Sequence, residues 1–372
     1  MTTWQLKVLT PKGSDKIEWH RFFNNLDGKN KDLHFLPEYS LIYEQTYGQK
    51  GFLAIFGDDE DFIILPFMKR PVGNLTFIKE SSLADMENLS DIVNAYGYGG
   101  PLAKITHPDV AARLYQEFFS VFSDYCKNVD IICEFASLHP LLKNHQPLND
   151  YKIIEPLQRK KIVYFDLNKT EVELWRGLSR GNQSSINKAR QKGVTISREE
   201  VSGNALIEFK KLYAETMERQ NANQRWIFPE DYFSNCAEKL GHDHVSLFCA
   251  HLNDVIIAEY LILHAYHTAY YHFGGSLEAH FEVRANNLLM YEIALWAKKQ
   301  GYRWFHLGGG LQNDDSLHKF KSGFSKEETR LYTYSRIFDN KQYSELCSMK
   351  NKWDEKEGII SKDTDFFPAY RS

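Results

Sequence analysis

A chain of 372 residues with 25% charged residues, 43% hydrophobic residues and a formal net charge of −4 is neither a basic nucleic-acid coat nor an acidic disordered tail. Its length exceeds what one core usually fills and suits two domains. Its 21 tyrosines and 25 phenylalanines supply large apolar cores and stacking surfaces for ligands. In the first half, residues 37–47 read as a helix, with Pro37 in its first turn and Glu38 beside the positive helix end. The apolar runs 52–57 and 62–68, split by Asp58-Asp59-Glu60-Asp61, read as a hairpin. Residues 72–94 are mixed and polar and read as loop with one strand at most. Residues 108–127 have helical periodicity, with Val110, Leu114, Phe118 and Phe122 on one face. A buried strand follows at 131–135.

The second half opens with a strand over 158–167. Thr170 caps a helix that Glu173 completes as a capping box. A second helix over 182–192 is stopped by Gly193, and a short strand follows at 194–197. Helices over 205–219 and 229–240 precede three strands at 245–252, 255–263 and 268–273, the first two joined by an Asn253-Asp254 turn. A long helix over 286–300 ends at Gly301. A strand at 304–307 breaks at Gly308-Gly309-Gly310. Asp315 or Ser316 caps a short helix to Lys321, and the last strand is 331–337. Beyond Met349 the tail is charged, without an expected periodic element, and reads as a loose extension.

Two phrases occur in both halves. Tyr96-Gly97-Tyr98-Gly99-Gly100 returns as Tyr271-His272-Phe273-Gly274-Gly275, and Phe35-Leu36-Pro37-Glu38-Tyr39 as Phe228-Pro229-Glu230-Asp231-Tyr232. One small α/β unit used twice, with a ligand cleft between the copies, is the expectation. The strand and helix order of the second half is similar to the GNAT acyltransferase fold. The expected fold class is α+β: two tandem GNAT-like domains, each with a mixed, mainly antiparallel sheet. The expected boundaries are residues 1–157, 158–348 as the catalytic domain, and 349–372 as an extension.

The five cysteines, Cys126, Cys133, Cys236, Cys249 and Cys347, include no C-x-x-C pair. Cys133 and Cys249 lie in apolar runs, where a buried free thiol is expected. Residues 1–18 lack the apolar core of a signal peptide. No run approaches the roughly 18 apolar residues of a membrane span. The expected location is the cytoplasm. His264, His267 and His272 show no metal-ligand spacing, and the triple glycine lacks G-x-G-x-x-G spacing, so neither a metal nor a permanently bound cofactor is expected.

The stretch Tyr271 to Ser276, Asn287-Leu288-Leu289-Met290-Tyr291-Glu292, Trp296-Ala297, Gly301, Phe305-His306-Leu307-Gly308-Gly309-Gly310 and Phe320-Lys321-Ser322-Gly323-Phe324 resembles the C-terminal half of Fem-type transferases. These include the peptidoglycan bridge-forming aminoacyltransferases and relatives in envelope-polysaccharide clusters. The first half resembles them through 35–39, 96–101 and His139-Pro140-Leu141-Leu142.

The resemblance implies transfer of an aminoacyl or acyl group to an amine of an envelope precursor. The implied donor is aminoacyl-tRNA and the implied acceptor a peptidoglycan-precursor peptide, with peripheral contact where the acceptor is lipid-linked. It also implies that Lys321, next to Phe320 in the F-K-x-G-F phrase, stabilises the oxyanion formed when an amine attacks an activated carbonyl. The competing reading of Lys321 is a surface lysine at a helix C-terminus. The resemblance to GNAT proteins, in which the corresponding strand end splays from its neighbour and its backbone N–H groups meet the donor carbonyl, implies that role for the strand-ending Gly274 and Gly275, where glycine lets backbone approach a ligand closely; the other reading is a plain turn.

Ordinary acyl-CoA enzymes of this fold carry R/Q-x-x-G-x-G/A before the long helix. Here Arg284-Ala285-Asn286-Asn287-Leu288 has no glycine, which leaves Arg284 and a helix N-terminus for a diphosphate. The family's R-x-x-I-R-K-A helix reads Asn182 to Arg190 here, with Asn187 in place of an arginine. Arg219 and Arg225 flank Asn221-Ala222-Asn223 and are either diphosphate ligands or loop anchors. Tyr96, Tyr98, Tyr271 and His306 are candidate substrate contacts. Glu259 is the carboxylate of an apolar strand: a general base with raised pKa, or a satisfied core residue. A base matters because an amine of pKa about 10.4 must lose a proton to attack. Two alternatives stand beside the aminoacyl reading: an acyl-CoA-dependent N-acyltransferase acting on an amino sugar or small amine, and a glycan- or peptide-binding relative without catalysis.

Overall fold

The computed structural model describes residues 4–80, 86, 88–310, 315–359 and 366–372, and of Arg225 the backbone alone. The chain forms two compact units. One comprises residues 1–30, 34–158 and 332–372, the other residues 31–33 and 159–331. The described part of the first unit holds strands β1 (Gln5–Leu9), β2 (Lys50–Gly57), β3 (Phe62–Pro71), β4 (Ser90–Val93), β5 (Leu102–Lys104) and β6 (Ile131–Ser137). Its helices are α1 (Gly13–Asn25), α2 (Pro37–Tyr47), α3 (Thr76–Lys79), α4 (Ala111–Asn128) and α5 (Gln146–Asp150).

Strands β1 to β4 pair antiparallel in turn, β5 adds to β3, and β4 pairs parallel with β6. The β2–β3 turn forms because the Asp58 carboxylate accepts from the N–H groups of Glu60 and Asp61 at 3.0 and 2.9 Å. Helix α4 buries Leu114, Phe118 and Phe122 as the periodicity predicts, against Phe56, Phe67 and Ile92 of the sheet.

The second unit takes β7 (Leu157–Asp166) from Arg159 onward. It then holds α6 (Glu171–Gly177), α7 (Arg180–Gln191), β8 (Thr195–Glu199), α8 (Gly203–Arg219), α9 (Glu230–Leu240), β9 (Val245–Leu252), β10 (Val255–Ala265), β11 (Thr268–Ser276), α10 (Ala285–Lys299), β12 (Trp304–Gly308) and α11 (Ser316–Ser322). Strands β8 to β11 pair antiparallel in turn, β11 pairs parallel with β12, and β12 pairs antiparallel with β7. Thr170 and Glu173 form the expected capping box, and Asp315 caps α11 by accepting from the His318 N–H at 2.7 Å.

The repeat is therefore topological. In each unit three antiparallel strands lead through a helix to a strand parallel with the third: β2–β3–β4, α4 and β6, then β9–β10–β11, α10 and β12. The mixed, mainly antiparallel sheets and flanking helices are the α+β class the sequence predicts.

The C-terminal region differs from expectation. Strand β13 (Glu328–Ile337) pairs antiparallel with β6 through Thr333–Ile337, and α12 spans Asn340–Glu357. Residues 332–372 belong to the first unit, so the described residues of the 349–372 stretch, 349–359 and 366–372, are not a loose extension, and the compact units do not follow the 157/158 and 348/349 boundaries. The physical reason is burial. Leu346 and Tyr370 are fully buried beside Val72, Ile132 and Cys133. Asp91 accepts from Tyr370 Oη at 2.9 Å and from Arg371 Nε at 2.5 Å. Helix α12 has few apolar residues, which hid its period, and the ion pair Lys350–Asp354 is buried on it.

Candidate active site

The site is built where two parallel strands part. Strands β11 and β12 are in register at Thr268–Tyr270 opposite Trp304–His306 and no further, while β11 runs on to Ser276 beside β10. Its register with β10 shifts between Leu261, opposite Phe273, and Ile262, opposite Tyr271. His272 is thus an extra residue, a bulge of the kind that bends a strand and re-aims its side chains. Its ring bonds Tyr232 Oη at 2.8 Å.

Lys321 comes from α11 and is 6% exposed. Its Nζ donates to the carbonyl of Gly309 at 2.9 Å and lies 5.4 Å from the centre of the Tyr271 ring. It therefore sits between the end of β12 and the part of β11 that has left it. Burial lowers its pKa to about 7, the charge of Lys160 adds to this, and Asp315 opposes it. Lys319 is exposed, as expected for a residue two positions away on a helix. Phe320 is half-buried and packs edge-on against Phe324 at 5.1 Å, which anchors α11 to the core.

The triple glycine has a local reason. Gly308 has φ +81°, and a Cβ there would stand 3.1 Å from Lys321 Nζ. A Cβ on Gly309 would meet the Lys161 carbonyl at 2.5 Å. Only glycine lets backbone pass this close to the amine. Lys160 of β7 donates to the Gly310 carbonyl at 2.8 Å, so two lysines bind successive carbonyls of one segment. Lys160 and Asp315 were not singled out in the sequence for roles at this site, because nothing in their local pattern marks them.

Gly274 and Gly275 lie inside β11 rather than after it. A Cβ on Gly274 would meet the Tyr260 ring at 2.5 Å and Tyr271 Oη at 2.7 Å. A Cβ on Gly275 would meet the backbone of Leu212 in α8 at 2.8 Å. Gly274 faces the same side as Tyr271, whose ring packs edge-on against Tyr260 at 4.7 Å. Gly275 faces the other side, where it lets α8 close onto the sheet.

Glu259 pairs with Gly275 and shares that second side. It is 1% exposed and accepts from Cys249 Sγ at 3.4 Å. Burial raises its pKa to about 7. Its strand neighbour Tyr260 points to the face of Tyr271 and Lys321, so Glu259 and Lys321 occupy opposite faces of the sheet.

Arg284 is exposed and left-handed, φ +66°, at the start of α10. Behind it, Asn287 donates to Asn182 of α7 at 3.1 Å and Asn286 to Ser276 of β11 at 3.2 Å. These bonds join the first turns of α7 and α10 to the end of β11. Arg219 bonds Thr216 at 3.4 Å and stacks over Phe281 at 5.1 Å. Thr216 in turn accepts from the Ser276 N–H at 3.1 Å. His306 is 3% exposed beside Tyr270 at 5.2 Å. The side chain of Arg225 lies outside the described residues.

In the first unit, Tyr98 packs between the rings of His34 and His139 at 5.3 and 5.1 Å. The Tyr96 carbonyl accepts from Tyr39 Oη at 2.6 Å. A Cβ on Gly97, Gly99 or Gly100 would meet His34, Asn94 or Leu138 at 2.4, 2.5 and 2.3 Å, so this copy of the phrase is a packed turn. Cys133 and Cys249 are buried free thiols, as expected, and so are Cys126 and Cys236. Among the described residues no helix is long and apolar enough to cross a membrane.

Residues 181–322 match the acetyltransferase (GNAT) domain family. The crystal structure of FemX is similar with a TM-score of 0.63 and 15% identity, covering 88% of this chain and 96% of that one. A conserved protein of unknown function from Bacteroides thetaiotaomicron is similar with a TM-score of 0.54 and 14% identity, covering 90% of this chain and 100% of that one. A tandem GNAT protein from the clavulanic acid biosynthesis pathway is similar with a TM-score of 0.50 and 6% identity, covering 90% of this chain and 98% of that one. A search among curated proteins finds no matching sequence. Two units with the same strand–helix–strand order, a GNAT domain match in the second and these structural likenesses agree: the chain has the Fem-like tandem GNAT fold.

Proposed function

We propose that the protein is an amide-forming acyltransferase whose second unit transfers an aminoacyl or acyl group from an activated carrier to an amine of a cell-envelope precursor in the cytoplasm. The observation that carries this reading is the buried amine of Lys321 at the parting of β11 and β12. A donor carbonyl laid along β11 at Gly274 would put its oxygen toward Lys321. An ammonium beside an oxygen that gains charge in a dry site stabilises the transition state by about 3 kcal/mol or more. Tyr271 and Phe320 would wall that space, and Arg219 and Arg284, both near the Ser276 end of β11, would meet a phosphorylated substrate. The reading of Tyr96 and Tyr98 as stacking contacts and of Arg225 as a diphosphate ligand rests on side-chain chemistry read from the sequence, and that of His306 on the family phrase. Glu259, on the far face of the sheet, takes no part in proton transfer at Lys321.

Aminoacyl-tRNA as donor and a peptidoglycan-precursor peptide as acceptor are what the Fem resemblance implies, and the Fem-like fold is compatible with them. The second reading, acyl-CoA as donor, is favoured by the acetyltransferase domain match over 181–322 and opposed by the glycine-free start of α10. Thermal-shift titrations with CoA and with charged tRNA separate the two. A saturable stabilisation by CoA alone would overturn the tRNA reading. Mass spectrometry of envelope precursors from cells with and without the protein then reads the acceptor. Unchanged precursors in both would overturn the envelope assignment.

A further inference from the structure

The reaction needs two things of opposite sign at one place. The acceptor arrives as an ammonium and must lose a proton before its nitrogen attacks. The oxygen of the donor carbonyl then gains negative charge and needs a cation. The one buried carboxylate of the central strands, Glu259, faces away from the site. From α11 comes Lys321 itself, buried and bonded to a carbonyl rather than to a carboxylate. Among the described residues no acid lies within ion-pair distance of it. From β7 comes Lys160, bound to the next carbonyl of the same glycine segment. From β11 comes the Tyr271 ring. From the cap of α11 comes Asp315, whose Oδ1 is engaged by the His318 N–H at 2.7 Å. His318 itself faces Glu328 at 3.3 Å, as Lys161 does at 4.0 Å. A buried ammonium with a second cation as its neighbour and, among the described residues, no acid within ion-pair distance is driven toward the neutral amine, against the weaker pull of Asp315.

On the acyl-transfer reading above, we propose that Lys160, bound beside the buried Lys321 on the same glycine segment, is a positioning residue that adds to burial in favouring the neutral Lys321 amine, so that Lys321 first takes the acceptor's proton and then, as an ammonium, faces the oxyanion. In the first step the acceptor R–NH3+ gives its proton to Lys321 and becomes R–NH2. Its lone pair forms the C–N bond while the carbonyl π pair moves to oxygen, opposite the new Lys321 ammonium. Collapse restores the carbonyl and breaks the bond to the carrier oxygen or sulfur. The carrier leaves with the second proton of the attacking nitrogen, and Lys321 returns its proton to solvent. The net change is ammonium plus acyl carrier to amide, carrier hydroxyl or thiol, and one proton. The lowered pKa of Lys321, about 7 from burial and Lys160, is what this exchange needs, since a base near neutral pH is free to accept and later release a proton.

The test is a 13C NMR titration of protein labelled at lysine Cε, with the Lys321 signal assigned by its loss in Lys321→Met. The expected midpoint in the wild-type protein is near neutral pH, and a midpoint at the ordinary lysine value would overturn the proposal without any variant. Lys160→Met is expected to move the Lys321 midpoint up by roughly one pH unit or more, and Lys160→Arg, which keeps the charge, to leave it low. Lys160→Gln replaces Lys160→Met should that variant not fold. An unchanged midpoint in the charge-removing variant would overturn the role of Lys160. The acid limb of kcat/KM against pH should move with the NMR midpoint. A shifted midpoint with no transfer from either donor to any amine would leave the electrostatic arrangement standing and overturn the acyltransferase reading.

Discussion

Lys321 and Glu259 show how far a residue's type and spacing reach. The F-K-x-G-F phrase drew attention to Lys321, and the fold puts that amine under cover at the parting of two strands. Replacing it with methionine keeps the packing and removes the cation; kcat/KM is expected to fall about 10²–10³-fold, with no loss of thermal stability. Linkage gives a second readout. The folded pKa of Lys321 is lowered to about 7 from 10.5, so its contribution to stability is full above pH 10.5 and lost as pH falls to 7. Chemical denaturation should therefore show wild type losing ground to Lys321→Met from about pH 10 down to pH 7, with a constant gap below. Glu259 has the opposite sign. Its folded pKa is raised from 4.5 to about 7, so its contribution is full below pH 4.5 and lost as pH rises through 7. Glu259→Gln should be more stable than wild type by about 1–3 kcal/mol at pH 8 and equal to it near pH 4. A wild type that is the more stable of the two at pH 8 would show that an unseen cation meets the carboxylate. The sequence marked Glu259 as unusual for its apolar strand and Lys321 through the F-K-x-G-F phrase. It could not say that they face opposite ways, because that depends on which strand position each takes and on where α11 returns.

At the scale of elements, glycine placement controls how close neighbours come. Gly275 lies against the Leu212 backbone, and Gly308 holds φ +81° beside Lys321 Nζ. Gly275→Ala is expected to force α8 off β11 and to lower stability by about 1–3 kcal/mol, measured by urea unfolding. Gly308→Ala adds backbone strain of about 1 kcal/mol or more and crowds the amine. Its loss of activity should exceed its loss of stability, and a variant with full activity would show that the amine has room to spare. Many elements were legible from local pattern. The β2–β3 hairpin, the Thr170 capping box, the long amphipathic α4 and the Asp315 cap all follow from signals within a few residues of one another. Helix α12 was not legible, because its buried face is short of apolar residues and includes the Lys350–Asp354 pair.

At the scale of the whole molecule, the return of residues 332–372 to the first unit is the main departure from the sequence reading. Deleting residues 366–372 removes the buried Tyr370 and leaves Asp91, which is fully buried, with Arg70 at 2.6 Å as its remaining ion-pair partner. The expected cost is about 3–5 kcal/mol, from a lost core aromatic and a weakened buried charge. A truncated protein as stable as the full chain in urea would show that the tail adds nothing. Repeated phrases and strand–helix order were enough to specify two GNAT-like units, since periodicity and turn chemistry are local. The sequence also marked the second copy for chemistry, through the Phe320-Lys321 phrase. Three things depended on contacts between residues far apart in the chain: the closure of the first unit by the C-terminal segment, the opposed faces of Glu259 and Lys321, and the meeting of Lys160 with the glycine segment that holds Lys321. Those contacts exist only after strands pair and helices pack, so tertiary structure alone decided them.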